Sequence, residues 1–217
     1  MNQLVIEVWG DFACFTRAEA KVERLSYPLP TPSAMRGILS AIYSKPAEFY
    51  WQINRIEVLN PIKYISIKRN EVKKKVDGKK SILIEDERTQ RQSVVLQDVR
   101  YRVYASIVRN KNCRHSIDEL YKQAFRRIQN GKCFYQPSLG CREFVAYFEE
   151  SDSVKKPIDY TQDLGYMLYD VFDLHRIEPL SKEKPYISLF RARVENGVLE
   201  IPDFDSTEVL KPGGGNA

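Results

Sequence analysis

Short β-branched runs and two helical stripes divide the chain. Leu4-Val-Ile-Glu-Val-Trp9 is short and apolar and reads as a first strand. Pro28, Pro30 and Pro32 then break the chain, and Thr31 can cap a helix that begins on Pro32. That helix places Met35, Ile38, Leu39 and Ile42 on one face and stops at Lys45-Pro46, because proline disfavours helix in the residue before it. A strand over about Ile53 to Ile67 leads into a basic run, and the chain returns from Gln97 to Val108. On the return, Tyr101, Val103, Ala105 and Ile107 alternate with Arg102, Tyr104 and Ser106. An extended β-hairpin with a charged tip is expected.

Ser116-Ile-Asp-Glu119 has capping-box form, and Ile117, Leu120, Tyr121, Ala124 and Ile128 trace one helical face up to Gly131. Gly140 to Phe148 reads as a further strand. Strand, helix, strand, strand, helix, strand is the ferredoxin-like order, so the expected class is α+β, with a ferredoxin-like domain over residues 1–150. Residues 151–217 read as a small β-rich domain, with strands near Tyr186 to Ala192 and Gly197 to Ile201 and a disordered Pro-Gly-rich tail.

The length of 217 residues fits this division into one domain and a smaller lobe, and 43% hydrophobic residues exclude a disordered chain. No apolar run approaches the ~18 residues of a membrane span and Met1-Asn2-Gln3-Leu4 lacks a secretory pattern, so a soluble cytoplasmic protein is expected. Thirty-four basic against 29 acidic residues give a net charge of only +5. The distribution says more: Lys63, Lys68, Arg69, Lys73, Lys74, Lys75, Lys79 and Lys80 crowd one stretch, either as a solvated hairpin tip or as a nucleic-acid contact. Cys14, Cys113, Cys133 and Cys141 are too sparse for a disulfide framework and lack zinc-site spacing, Cys113 and His115 having no second pair. They read as reduced structural thiols, and neither metal nor cofactor is expected.

Between the second helix and the next strand lies Gly131-Lys-Cys-Phe-Tyr-Gln-Pro-Ser-Leu-Gly140. Its glycines let backbone approach a phosphate, Lys132 and Arg142 supply charge, and Phe134 and Tyr135 can stack on unpaired bases. A plain connecting loop with its aromatics turned into the core fits the same residues. Only half of the RNA-recognition consensus precedes Phe144-Val-Ala-Tyr147, where Cys141-Arg142-Glu143 stands.

Trp9-Gly-Asp-Phe-Ala-Cys-Phe15, Pro32-Ser-Ala-Met-Arg-Gly-Ile-Leu39, Ala41-Ile-Tyr-Ser-Lys-Pro46, Leu139-Gly-Cys-Arg-Glu-Phe144, Asp163-Leu-Gly-Tyr-Met-Leu-Tyr-Asp170 and Phe190-Arg-Ala-Arg-Val-Glu-Asn-Gly197 stand in this order. Together they resemble the fifth CRISPR-associated protein family, subtype d, of type I-C systems. The resemblance implies a RAMP-type first domain, a smaller β-rich second domain and metal-independent endoribonuclease activity. Its expected substrate is precursor CRISPR RNA, cut at the base of the repeat hairpin. Expected partners are the repeat hairpin, the mature 5′ handle and the backbone and large subunits of the Cascade complex.

Such a ribonuclease uses the substrate's 2′-hydroxyl as nucleophile and needs a base, a cation for the phosphorane and a donor for the leaving oxygen. The resemblance places an aromatic site residue at Tyr43. As a base it would need a cation to bring it below its usual value near ~10; it could equally orient the 2′-hydroxyl, or extend the Leu39 face into the core. A family Lys-His pair would fall at Glu119-Leu120, or at Leu120-Tyr121 with one slip, and neither register supplies it. Lys122 and His115 are the substitutes, with Tyr121 behind them; Lys122 can also pair with Asp118. Lys73, Lys74, Lys75, Lys132, Phe134, Tyr135, Arg126 and Arg142 are the expected RNA contacts. The alternatives are a non-catalytic subunit holding the 5′ handle, and a binder of duplex DNA through the Lys63–Lys80 region.

Overall fold

The computed structural model describes residues 3–17, 19–20, 23–73, 83–151, 154–176 and 185–212. Residues 74–82, with Lys74, Lys75, Lys79 and Lys80, and the tail from 213 onward lie outside the described residues. No helix among the described residues is long and apolar enough to cross a membrane.

The central element is a 22-residue strand, β5 (Arg88–Arg109). Its second half runs antiparallel between β1 (Leu4–Ala13) and β3 (Phe49–Val58), with Leu4 opposite Ala105 and Phe49 opposite Arg109. Its first half pairs with β4 (Tyr64–Val72), Tyr64 opposite Leu96, and runs parallel to the two-residue β2 (Arg24–Leu25). The strand expected from Ile53 to Ile67 is therefore two strands. Pro61 lacks the N–H a ladder needs, and the Asn60 side chain instead donates to the Asp98 carbonyl (2.9 Å). Asp98 itself has φ +53, a kink that separates the two halves of β5.

Helix α1 (Pro32–Ile42) starts as its sequence dictates, with Thr31 accepting the Ala34 N–H at 3.1 Å and Pro32 in the first turn. After the four-residue α2 (Ile84–Glu87), helix α3 (Ile117–Gln129) carries the full Ser116/Glu119 capping box. Met35, Ile38 and Leu39 of α1 and Leu120, Ala124 and Ile128 of α3 share one core with Leu4, Ile6, Val8, Tyr101, Val103 and Ala105. The two helices thus cover a single face of the sheet.

The opposite face buries charge. Arg102, 3% exposed, donates to Glu57 (2.8 Å), Glu7 (2.9 Å), the Ser151 hydroxyl (2.7 Å) and the Lys155 carbonyl (2.9 Å). Arg100 adds bonds of 2.6 Å each to Glu7 and Glu149. This network ties β3, β5 and β1 to β6 (Tyr147–Glu150), which pairs with β1. The strand expected over Gly140 to Phe148 is this shorter β6. Positive φ at Gly140 (+85) turns the chain before it, leaving only a bridge between Ser138 and Val145.

The remaining strands are β7 (Gln162–Asp170), β8 (Ser188–Glu195), β9 (Val198–Glu200) and β10 (Val209–Leu210). Among the described residues they extend one sheet in the order β10-β8-β9-β3-β5-β1-β6, with β7 on β8. Asp170, 1% exposed, fixes α1 to this region by accepting both Arg36 Nε (2.6 Å) and Nη2 (2.8 Å). The fold is α+β: a mostly antiparallel sheet with two substantial helices.

Candidate active-site cleft

Helix α1 ends on Ile42, leaving carbonyls without intrahelical partners. Distant segments supply them. Ala41 O accepts the Phe134 N–H (2.7 Å), Ile42 O accepts Arg127 Nε (2.5 Å) and Tyr43 O accepts the Trp51 indole N–H (2.8 Å). Tyr43 is thereby held in extended conformation (φ −150, ψ 122), its ring packed against Phe49 at 5.5 Å. It is 4% exposed. Burial, and then the Glu48 carboxylate, push its phenol above the usual tyrosine range, with Arg127 only partly opposing them. The cation effect that a tyrosinate base requires is outweighed, and Tyr43 packs into the main core at the edge of the cleft, continuing the Leu39 face.

Past Pro46 the chain turns, Glu48 N–H reaching the Lys45 carbonyl at 2.8 Å, and the turn presents Lys45 and Glu48 to the start of α3. There His115 Nδ1 hydrogen-bonds Glu48 Oε2. Lys45 Nζ lies 3.2 Å from Glu48 Oε1 and 3.3 Å from each His115 ring nitrogen. Cys113 Sγ donates to the His115 carbonyl (3.3 Å). His115 and Lys45 together pull the Glu48 carboxyl down to about 2, so it is charged throughout the working range. A carboxylate bonded to one ring nitrogen fixes the imidazole's orientation, and Lys45 Nζ stands within reach of the other.

Tyr43, Lys45, His115, Lys122, Arg126, Arg127 and Phe134 line one open cleft of about 600 Å³. Tyr43, His115 and Lys122, the residues the sequence nominates for catalysis, thus converge, together with the nominated RNA contacts Arg126 and Phe134. Phe134 is 58% exposed with the Arg127 guanidinium 4.1 Å above its ring, so this aromatic faces outward and not into the core. Tyr121 does not join them: its hydroxyl accepts the Ile107 N–H (2.9 Å) inside the core. At the registers of the missing Lys-His pair stand Glu119, which caps α3, and Leu120, which is fully buried.

Tyr135 and Arg142 line a second cleft of about 810 Å³, between the residue 135–142 loop and α1. Tyr135 is 62% exposed. Gly140 forms the wall because a Cβ there would come within 2.0 Å of the Cys14 carbonyl oxygen. Lys132 is exposed but borders neither cleft, and Lys73 sits just past the end of β4, also exposed. Sequence reasoning missed Lys45, Glu48 and Arg127 as site residues. Lys45, two residues from Tyr43, reads in the sequence only as a helix stop, whereas nothing in the sequence marks Glu48 as a partner of His115.

A family model described as "CRISPR-associated protein (Cas_Cas5)", of the Cas5d type, matches residues 3–202. The CRISPR pre-crRNA endoribonuclease Cas5d of Mannheimia succiniciproducens is 41% identical, over 97% of this chain and 99% of its own. Its namesake from Thermus thermophilus is also 41% identical, over 93% and 92%. A solved CRISPR-associated protein superposes with a TM-score of 0.67 at 22% identity over 96% of each chain, a likeness of fold. The chain belongs to the Cas5d family of CRISPR-associated proteins.

Proposed function

We propose that this chain is a precursor CRISPR RNA endoribonuclease that cuts at the base of the repeat hairpin by attack of the substrate's own 2′-hydroxyl. The products would carry a 2′,3′-cyclic phosphate and a 5′-hydroxyl. The names of both 41%-identical relatives support the activity. The observation that carries the mechanism is the convergence of Tyr43, Lys45, His115, Lys122 and Arg126 from two distant chain segments on one cleft. In this reading neutral Tyr43 orients the 2′-hydroxyl, His115, steadied by Glu48, exchanges the proton, and Lys45, Lys122 and Arg126 balance the phosphorane charge.

The second cleft suits the unpaired RNA beside the stem, Tyr135 stacking on a base and Arg142 meeting a phosphate. Lys73 to Lys75 and Lys132 would contact stem phosphates at A-form spacing. After cutting, the protein would stay on the 5′ handle within a type I-C Cascade complex. A ferredoxin-like core is supported by the order β3-β5-β1-β6, with α1 between β1 and β3 and α3 between β5 and β6. The later strands, paired chiefly among themselves, support a second unit after residue 150.

The test is incubation of the full chain with a type I-C repeat RNA in EDTA. Cleavage is expected, and Tyr43→Phe is expected to slow it more than it weakens binding. Glu119 and buried Leu120 at the registers of the expected Lys-His pair favour a second reading, a non-catalytic subunit holding the 5′ handle. Tight hairpin binding with intact RNA would establish that reading; equal, salt-sensitive affinity for unrelated duplex DNA would instead point to a duplex binder.

A further inference from the structure

All four cysteines read as structural from the sequence, yet the fold brings two of them together across 127 positions. Cys14 directly follows β1 and Cys141 follows the Gly140 turn. The Cys14 N–H donates to the Leu139 carbonyl (3.0 Å), and Gly140 packs so closely on Cys14 that no side chain fits between them. The Cys141 thiol donates to the Cys14 carbonyl oxygen (3.9 Å), and its sulfur accepts Arg24 Nη1 at 2.8 Å. Both cysteines belong to a small apolar cluster with Val95, apart from the main core.

A guanidinium donating to sulfur favours the thiolate. The neighbouring Cys14 thiol, and against burial the charge of Arg24, lower the Cys141 thiol, whereas proximity to Cys141 and burial raise Cys14. Both cysteines are buried, and Cys14 lines the second cleft beside Gly140.

We propose that Cys141 is a peroxide-reactive thiolate and Cys14 its resolving partner, so that oxidation fastens the Gly140 turn to the end of β1 through a disulfide. The Cys141 thiolate attacks one peroxide oxygen, the O–O bond breaks, and hydroxide leaves to be protonated to water, giving a sulfenic acid. The Cys14 sulfur then attacks the sulfenic sulfur, the S–O bond breaks and a second water leaves with the Cys14 proton. Two thiols are oxidised and one peroxide is reduced to two waters. The bridge would anchor the loop that carries Tyr135 and Arg142.

The test uses the full reduced chain, treated with stoichiometric hydrogen peroxide, quenched, denatured and alkylated with iodoacetamide before peptide mapping. Cys14 and Cys141 are expected to lose alkylation together and to appear as one linked peptide pair. Cys113 and Cys133, which are more exposed, are expected to stay labelled. In Cys14→Ser, a dimedone adduct is expected at Cys141. Oxidation of Cys113 or Cys133 first, the order exposure alone would give, overturns the proposal. So does a wild-type chain in which Cys14 and Cys141 remain fully alkylated, a result that needs no variant to fold.

Discussion

Arg127→Ala should cost far more cleavage than stability. Arg127 makes a 2.5 Å bond to the Ile42 carbonyl and covers the Phe134 ring at 4.1 Å. Hydrogen bonds from charged groups contribute about 1.5–3 kcal/mol, and a partly exposed cation–π contact about 0.5–1 kcal/mol. Because the side chain borders an open cleft, solvent can replace it at the carbonyl and the loss falls low in that range, about 2 kcal/mol. For a chain of this size that lowers Tm by about 4–8 °C. The end of α1 then loses one of the three anchors that hold Tyr43. Displacement of a reacting group by about 1 Å costs on the order of 100-fold in rate. Single-turnover cleavage of a repeat hairpin, read beside binding and thermal melting, checks this. Arg127→Lys should recover part of the rate, keeping the charge without the planar fork. A variant destabilised by about 2 kcal/mol that still cleaves within about twofold of wild type would refute the reasoning.

Other outcomes follow from the same contacts. Arg102→Leu removes the buried cation that Glu7 and Glu57 share and should lose about 3–5 kcal/mol in urea titration. Burial pushes the Glu7 carboxyl up, but the hydrogen bonds from Arg100 and Arg102 outweigh it and hold it below the usual value of 4.5. A depressed native value means its stabilisation is full above the unfolded-state value and is lost as pH falls through the native one. The stability gap between wild type and Glu7→Gln should therefore narrow in acid; a gap constant with pH contradicts the pairing. Gly140→Ala combines φ +85 with a Cβ 2.0 Å from the Cys14 carbonyl oxygen and should lose about 1–3 kcal/mol, visible as a lower Tm. Lys73→Ala should weaken hairpin binding and lower the salt slope by about 0.7–0.9 without moving the cut; a shifted cut would mean that it specifies rather than positions.

Local signals were legible wherever a single segment decided the outcome. Thr31 with Pro32, and Ser116 with Glu119, cap their helices as their side chains dictate, and the alternation of Tyr101, Val103 and Ala105 gave the core face of β5. The extent of β5 was not legible, because its first half is stabilised by β4 rather than by its own pattern. β7 was likewise missed as a strand, since it depends on pairing with β8. In the cleft, Tyr43 could be nominated from its motif and His115 and Lys122 from their chemistry. The Lys45-Glu48-His115 cluster joins positions up to 70 apart, and no local pattern records such a meeting. Burial of Tyr43, which favours the neutral phenol, also depends on tertiary packing.

The most direct measurement is the chemical identity of the RNA ends after the purified chain acts on a type I-C repeat RNA in EDTA. A 2′,3′-cyclic phosphate paired with a 5′-hydroxyl, formed at the same rate with and without EDTA, is expected from a cleft of tyrosine, histidine and basic side chains. Cleavage abolished by EDTA, or products bearing 3′-hydroxyl and 5′-phosphate ends, would contradict it.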